Sequence, residues 1–325
     1  MHSSSERKLL LLAFALIGLC AQTAFGQPYP SRPVRLVVPF VAGGGTDALA
    51  RVVAQHLSKA LGGNVLVENR PGAGGTVGSE SVAKAAPDGY TLLMGTNATL
   101  ALAPGLYPKL GYDPVRDFTP ISLLANGPNV LVVHSQIPAQ DTASFLRYAK
   151  ANPGKLNYGS AGNGSMAHIS TSMFDLAGGV QTVHVPFKGG AAAVQELAAG
   201  RLQFMIAGPV ETQPLVQSGH LRALAVTSKN RIPSMPHLPP IADTLPGYDI
   251  VSWYTVVGPP GLPAEIVATL AKHLREFTAS KEGIDILTRQ ALEPKPMEGA
   301  ALREFLSAET VKWTREIREM GIAVQ

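Results

Sequence analysis

Two glycine-bearing turns of one outline hold the residues best suited to chemistry in this chain. Val38-Pro39-Phe40-Val41-Ala42-Gly43-Gly44-Gly45-Thr46-Asp47 is echoed by Val185-Pro186-Phe187-Lys188-Gly189-Gly190. In both, an apolar run stops at an aromatic ring, passes through glycines and opens a helix. The N–H groups of such a bend point outward, no Cβ blocks close approach, and the positive end of the helix faces the guest, so each turn can hold an anion. Two turns of the same design imply two similar half-molecules facing a cleft, with a small carboxylate or phosphate as the guest.

The same residues bear on other chemistries. Gly43-Gly44-Gly45-Thr46-Asp47-Ala48 fits the dinucleotide fingerprint G-x-G-x-x-A, and Glu68 closes the following strand where a ribose-binding acid would sit. Pro39 directly before the loop, and an export signal, argue against a secreted nicotinamide-dependent oxidoreductase. Gly159-Ser160-Ala161-Gly162 approaches the nucleophile elbow of a serine hydrolase, but Tyr158 replaces the first glycine and no Ser, Asp, His order completes a triad. The 8 histidines are spread singly, so no metal site is expected. No Walker lysine follows a glycine loop. The expectation is a protein with no catalytic residue and no cofactor.

The elements that must position these turns alternate along the chain. Residues 34–40 form a near-continuous apolar run, as in a strand buried on both faces of a parallel sheet. Leu49, Val53, Leu57 and Leu61 then recur every fourth residue on a helix capped by Thr46 or Asp47. Strands at 65–68 and 90–95 complete a βαβαβ unit, which puts the loops 42–47 and 95–99 at the carboxyl edge of a sheet, where open α/β folds bind ligands. The second half repeats the plan with strands at 156–160, 183–187, 202–207 and 221–227. It also holds a helix with Ile169, Met173 and Leu176 on one face. Strands 129–134 and 250–257 read as crossings between the halves, and helices 263–279 and 299–320 as packing back on the first.

A chain of 325 residues, 46% hydrophobic and 15% charged, has room for two compact lobes. Residues 1–26 read as a secretory signal peptide: Arg7 and Lys8 precede an apolar core at 9–19, and Ala24 and Gly26 supply the small residues of a cleavage site before Gln27. That core is too short for a spanning helix. Cys20, the single cysteine, lies within it behind Leu19 rather than the small residue lipidation requires, so the mature chain has no thiol and no disulfide. Cleavage lowers the formal net charge of +4 by one. Basic residues are scattered, which excludes a nucleic-acid groove.

The residues resemble one family throughout. Tyr29-Pro30-Ser31-Arg32-Pro33, the first glycine turn with Asp47, Val67-Glu68-Asn69-Arg70-Pro71-Gly72-Ala73-Gly74-Gly75, Ala86-Pro87-Asp88-Gly89-Tyr90, residues 157–164, His184-Val185-Pro186-Phe187-Lys188-Gly189-Gly190 and residues 221–226 are similar in order to the Bug family. These are the periplasmic receptors of tripartite tricarboxylate transporters. The resemblance implies an α/β, two-lobed periplasmic binding protein of type II, each lobe a mainly parallel sheet flanked by helices. Its expected limits are 27–126 plus 247–325 for lobe 1 and 127–246 for lobe 2. It implies a monomer in the periplasm that binds a small carboxylate and serves a membrane permease or a sensor.

Carried over by position, the resemblance builds the cleft from Phe40, Ala42, Gly43, Gly44 and Thr46, the strand end at Thr96 and Asn97, the loop with Ser160, Gly162, Gly164, Ser165 and His168, then Phe187 and Ala207. Backbone N–H and hydroxyl donors there would each give a carboxylate roughly 1.5–3 kcal/mol. The two phenylalanines would be apolar walls. Asp47 is expected to brace its loop, and His184 to be structural. The chain departs from the family at Ala207-Gly208-Pro209, where relatives often carry an acid followed by asparagine. With no acid at this edge, a plain, dicarboxylic or aromatic acid is expected in preference to an amino acid.

Overall fold

The computed structural model describes residues 29–322; the expected signal peptide, its cleavage site and Cys20 lie outside them. β1 (Val34–Val38) buries four of its five residues, because it runs between two parallel neighbours, β2 (Val65–Asn69) and β3 (Thr91–Thr96). α1 (Gly45–Leu61) lays Leu49, Val53 and Leu57 on this sheet and stops at Gly62, whose φ of 65° ends a helix at no steric cost. A tight turn through Gly72, Ala73, Gly74 and Gly75 leads into α2 (Thr76–Ala83). A wide helical turn at Ala98–Leu102 then passes into the short α3 (Ala103–Leu106).

β4 (Thr119–Pro128) carries the chain out of this sheet and into a second one, built from β5 (Val130–His134), β6 (Asn157–Ser160), β7 (Val183–Pro186), β8 (Phe204–Ala207) and β9 (Leu221–Val226). Its helices are α4 (Thr142–Ala151), α5 (Met166–Gly178), α6 (Gly190–Ala198) and α7 (Pro209–Gln217). The chain returns as β10 (Val251–Gly258), followed by α8 (Ala264–Ala279), α9 (Lys281–Arg289), β11 (Glu293–Met297) and α10 (Gly299–Glu319). The sheet orders are β11-β4-β10-β3-β1-β2 and β7-β6-β8-β5-β9.

Both sheets are mixed rather than mainly parallel. Parallel pairing is confined to β2-β1-β3 and β7-β6-β8, while the strands beside the crossings, β4, β5, β9 and β10, all pair antiparallel. A chain that leaves one sheet and later re-enters it meets its own outgoing strand head to tail. Leu270, Leu274 and Phe277 of α8 share a core with Leu49, Val53 and Leu57, and Thr310 of α10 donates to the Leu100 carbonyl at 2.8 Å, so the C-terminal helices pack on the first sheet.

Local features differ from the sequence reading for identifiable reasons. Leu176 is 63% exposed and Phe174 takes its place in the core beside Ile169. α1 is capped by Gly44, without a side-chain cap; Asp47 instead reaches back to the Gly43 N–H at 3.0 Å. β11, which the sequence reading lacks, carries prolines at 294 and 296 and lies at the sheet edge, where a missing donor costs nothing.

Candidate functional site

A cavity of ≈ 580 Å³ lies between the two sheets. Loops from both halves converge on it. The first half presents Phe40 after β1, Gly44 and Gly45 at the start of α1, the turn Gly72 to Gly75 ahead of α2, and Thr96 and Asn97 at the end of β3. The second presents Gly162 and Asn163 after β6, Ser165 at the start of α5, Phe187 and Gly189 ahead of α6, and Ala207 and Gly208 at the start of α7. Three helices, α1, α5 and α6, therefore begin at the cavity with their N-terminal N–H groups. α7 adds a fourth, whose first position is Pro209 and has no N–H.

The turn before α2 runs at positive φ. Gly72, Gly74 and Gly75 have φ of 139°, 63° and 98°, and even Ala73 sits at 44°. A Cβ on Gly74 would lie 2.9 Å from the Asn163 carbonyl, so the absence of a side chain lets this turn abut the opposite half. The halves also touch elsewhere. The Tyr107 hydroxyl donates to the Asn163 carbonyl at 3.2 Å, and the Asn97 amide donates to the Met166 sulfur at 3.1 Å and to the Val251 carbonyl at 2.8 Å.

Of the residues expected at the cleft, Phe40, Gly44, Thr46, Thr96, Asn97, Gly162, Ser165, Phe187 and Ala207 line the cavity. Ala42, Gly43, Ser160, Gly164 and His168 do not. Ala42 and Gly43 are exposed on the outer side of the turn, and the Gly43 N–H is already given to Asp47. Ser160 is fully buried behind the loop, its hydroxyl 2.6 Å from His184 Nε2. Gly164 donates its N–H to His168 Nδ1 at 3.2 Å, and the His168 ring stacks on His184 at 4.1 Å. Burial lowers the proton affinity of both rings, that of His184 to about 4 with a further push from His168. These five residues stand behind the wall and shape it. Ser160, paired with His184, does not line the cavity.

Asp47 braces the first turn. Burial would raise its proton affinity, but donors from Arg51 at 2.9 Å, Gly43 and Asn69 hold the carboxyl below its ordinary value. Glu68 is spent on Arg70, at 2.6 Å, and does not line the cavity, so it takes no ribose role.

Two polar atoms on the wall are buried without a hydrogen-bond partner among the described residues: Thr96 Oγ1 and Asn97 Oδ1, on side chains only 4% and 1% exposed. The Asn97 amide is oriented by the Val251 carbonyl, which can only accept, so Oδ1 must be the atom turned away from it. Such atoms ask for a donor from a guest or an ordered water.

Sequence reasoning named Glu211 only as an alternative acid outside the expected contacts, and missed Tyr254. Both line the cavity. Glu211 lies in the first turn of α7, four residues beyond the uncharged strand end, and brings an acid to the cavity. Burial pushes its carboxyl up to about 7 against the pull of the Gly45 N–H. Tyr254 faces Thr96 across the β10–β3 pair, and burial together with Glu211 pushes its hydroxyl up to about 12. The Pro-Val-Glu spacing after Gly208 was the available signal for Glu211; only the antiparallel return of β10 reveals Tyr254.

With this geometry, comparison with known proteins is decisive. Residues 49–322 match the model of the tripartite tricarboxylate transporter family receptor. The chain belongs to this family. BugT of Bordetella pertussis is 34% identical over 319 residues, 94% of this chain and 97% of BugT. An R. palustris protein solved with adipate superposes with a TM-score of 0.88 at 38% identity, covering 91% of this chain and all of that one. MatC from Rhodopseudomonas palustris, solved with bound malate, gives 0.83 at 33% identity, covering 89% of this receptor and all of MatC. The two-sheet α/β architecture of the receptor is that of these solute-binding proteins. No described helix of the receptor is long and apolar enough to cross a membrane.

Proposed function

We propose that this receptor is exported to the periplasm, takes a small plain, dicarboxylic or aromatic carboxylate between lobes 27–126 plus 247–325 and 127–246, and delivers it as a monomer to a tripartite tricarboxylate-type permease or a sensor. The observation that carries the reading is the convergence of helix N-termini from both halves on one cavity walled by Phe40 and Phe187. Oriented N–H groups bind an anion without the cost of burying an opposing side-chain charge. The adipate and malate held by two structural relatives support a carboxylate guest. Phe40, Gly44, Thr46, Thr96, Asn97, Gly162, Ser165, Phe187 and Ala207 are the proposed contacts. It acts as a binding protein and catalyses nothing.

Thermal unfolding of the mature receptor against a panel of dicarboxylates, hydroxy acids and aromatic acids tests this. A ligand at 100 times its dissociation constant adds about 2.7 kcal/mol to stability. At least one panel acid should raise the melting temperature accordingly. No shift with any of them, in an intact protein, overturns the reading.

A further inference from the structure

Glu211 stands on the second half and faces the glycine turn of the first. Its Oε1 lies 3.2 Å from where a Cβ on Gly44 would be, and a Cβ on Gly190 would collide with the carboxylate, so the acid sits between the starts of α1 and α6. That is the place where the two glycine turns would receive the carboxylate of a ligand. The charged and titratable groups around it leave it without a counter-ion. On α1, Arg51 is spent on Asp47. Ahead of α6, Lys188 is exposed, and it is the one Lys, Arg or His among the described cavity-lining residues. On β10, Tyr254 offers a neutral hydroxyl.

We propose that Glu211 is a specificity-determining residue that meets the ligand as a carboxylic acid, donating its O–H to the ligand's carboxylate, so that capture of each ligand takes up a proton from solution at and above neutral pH. The inference rests on the reading of the cavity as a carboxylate site. Two carboxylates in one water-poor site cannot both stay ionised, and the pair keeps a proton. The balance is simple: the ionised Glu211 carboxylate gains one proton from solvent, a hydrogen bond forms from it to the ligand anion, and no covalent bond to the ligand is made. The device replaces a basic side chain. It admits an anion into a cavity with little positive charge, and it rejects guests that cannot accept a proton-bearing partner. The carboxyl of Glu211 already titrates near neutrality before a second anion arrives, which keeps the protonated form within easy reach.

Calorimetry tests the coupling directly. Malate, adipate, succinate and benzoate are titrated into the full mature receptor in buffers of different ionisation enthalpy, from below to above neutral pH. Proton uptake approaching one per ligand is expected above neutrality, with affinity falling by up to about tenfold per pH unit. Glu211→Gln, whose amide still donates, should abolish the uptake and flatten the pH profile. Uptake in the wild-type protein is measured without any variant, so misfolding of Glu211→Gln does not spoil the test. Binding with no uptake, with proton release, or with the same pH profile in both proteins overturns the proposal and leaves the receptor reading standing. Absence of binding by all four acids at every pH overturns the receptor reading itself.

Discussion

Asn129 and Thr227 tie the two chain crossings together: Thr227 Oγ1 accepts the Asn129 N–H at 2.8 Å, and the Thr227 N–H donates to the Asn129 carbonyl at 2.9 Å. Asn129 follows β4 at the outgoing crossing, and Thr227 follows β9 and accepts the Ile250 N–H at 3.1 Å just ahead of β10, so the pair lies beside both passages of the described chain between the sheets, and Thr227 is fully buried there. Thr227→Val keeps the shape and deletes the acceptor, leaving a buried N–H unpaired. A loss of about 1–3 kcal/mol in urea unfolding is expected.

Ligand binding should draw the halves together about this pair. Small-angle scattering is expected to give a smaller radius of gyration with saturating ligand than without. An unchanged radius, with binding confirmed by calorimetry, would mean that the cavity is already closed before the ligand arrives.

The glycines of the two turns should separate into stability and binding roles. Gly43 has a φ of 89° with open space around it, so Gly43→Ala strains the backbone by about 1–2 kcal/mol and leaves affinity nearly unchanged. Gly190→Ala suits the helix but displaces the Glu211 carboxylate. It should alter affinity at least tenfold while the unliganded melting temperature holds. Urea melts and calorimetry on both variants check the division.

Thr96→Val tests the unpartnered wall atoms. Removing a buried hydroxyl that has no partner among the described residues relieves a desolvation cost, so the unliganded receptor should gain up to about 1 kcal/mol, while ligand affinity falls. Loss of stability together with unchanged affinity would show that the hydroxyl is satisfied internally and faces no guest.

Two groups near the cavity pull stability in opposite directions with pH. His184 has its proton affinity lowered from 6.5 to about 4, so the folded state refuses a proton that the unfolded chain accepts, and stability is lost as pH falls through that window. Glu211 is raised from 4.5 to about 7, so the folded state keeps a proton that the unfolded chain releases, and stability is lost as pH rises through that window. Relative to wild type, His184→Asn should therefore gain ground toward acid pH, and Glu211→Gln toward neutral pH. Melting curves of the three proteins across pH measure both differences.

Much of the receptor was legible in its residues because the signals are local. Glycine turns at helix starts, the apolar run into Phe40 and the stripe of Leu49, Val53 and Leu57 depend only on neighbours within a few positions, and they located β1, α1 and the echo at Phe187. The resemblance to the family, carried over by position, supplied nine of the residues that line the cavity. What only the tertiary structure decided depends on partners far along the chain. Whether Gly43 or Gly44 faces inward is settled by Asp47 consuming the Gly43 N–H, and the withdrawal of Ser160 by its contact with His184, 24 residues on. β11 pairs at an edge formed by β4, which no pattern within Glu-Pro-Lys-Pro-Met announces. The charge of the cavity was beyond local reading for the same reason. Ala207 removed an acid from the strand end, and one turn of α7 brought Glu211 to the cavity, opposite a glycine turn more than 160 residues earlier in the chain.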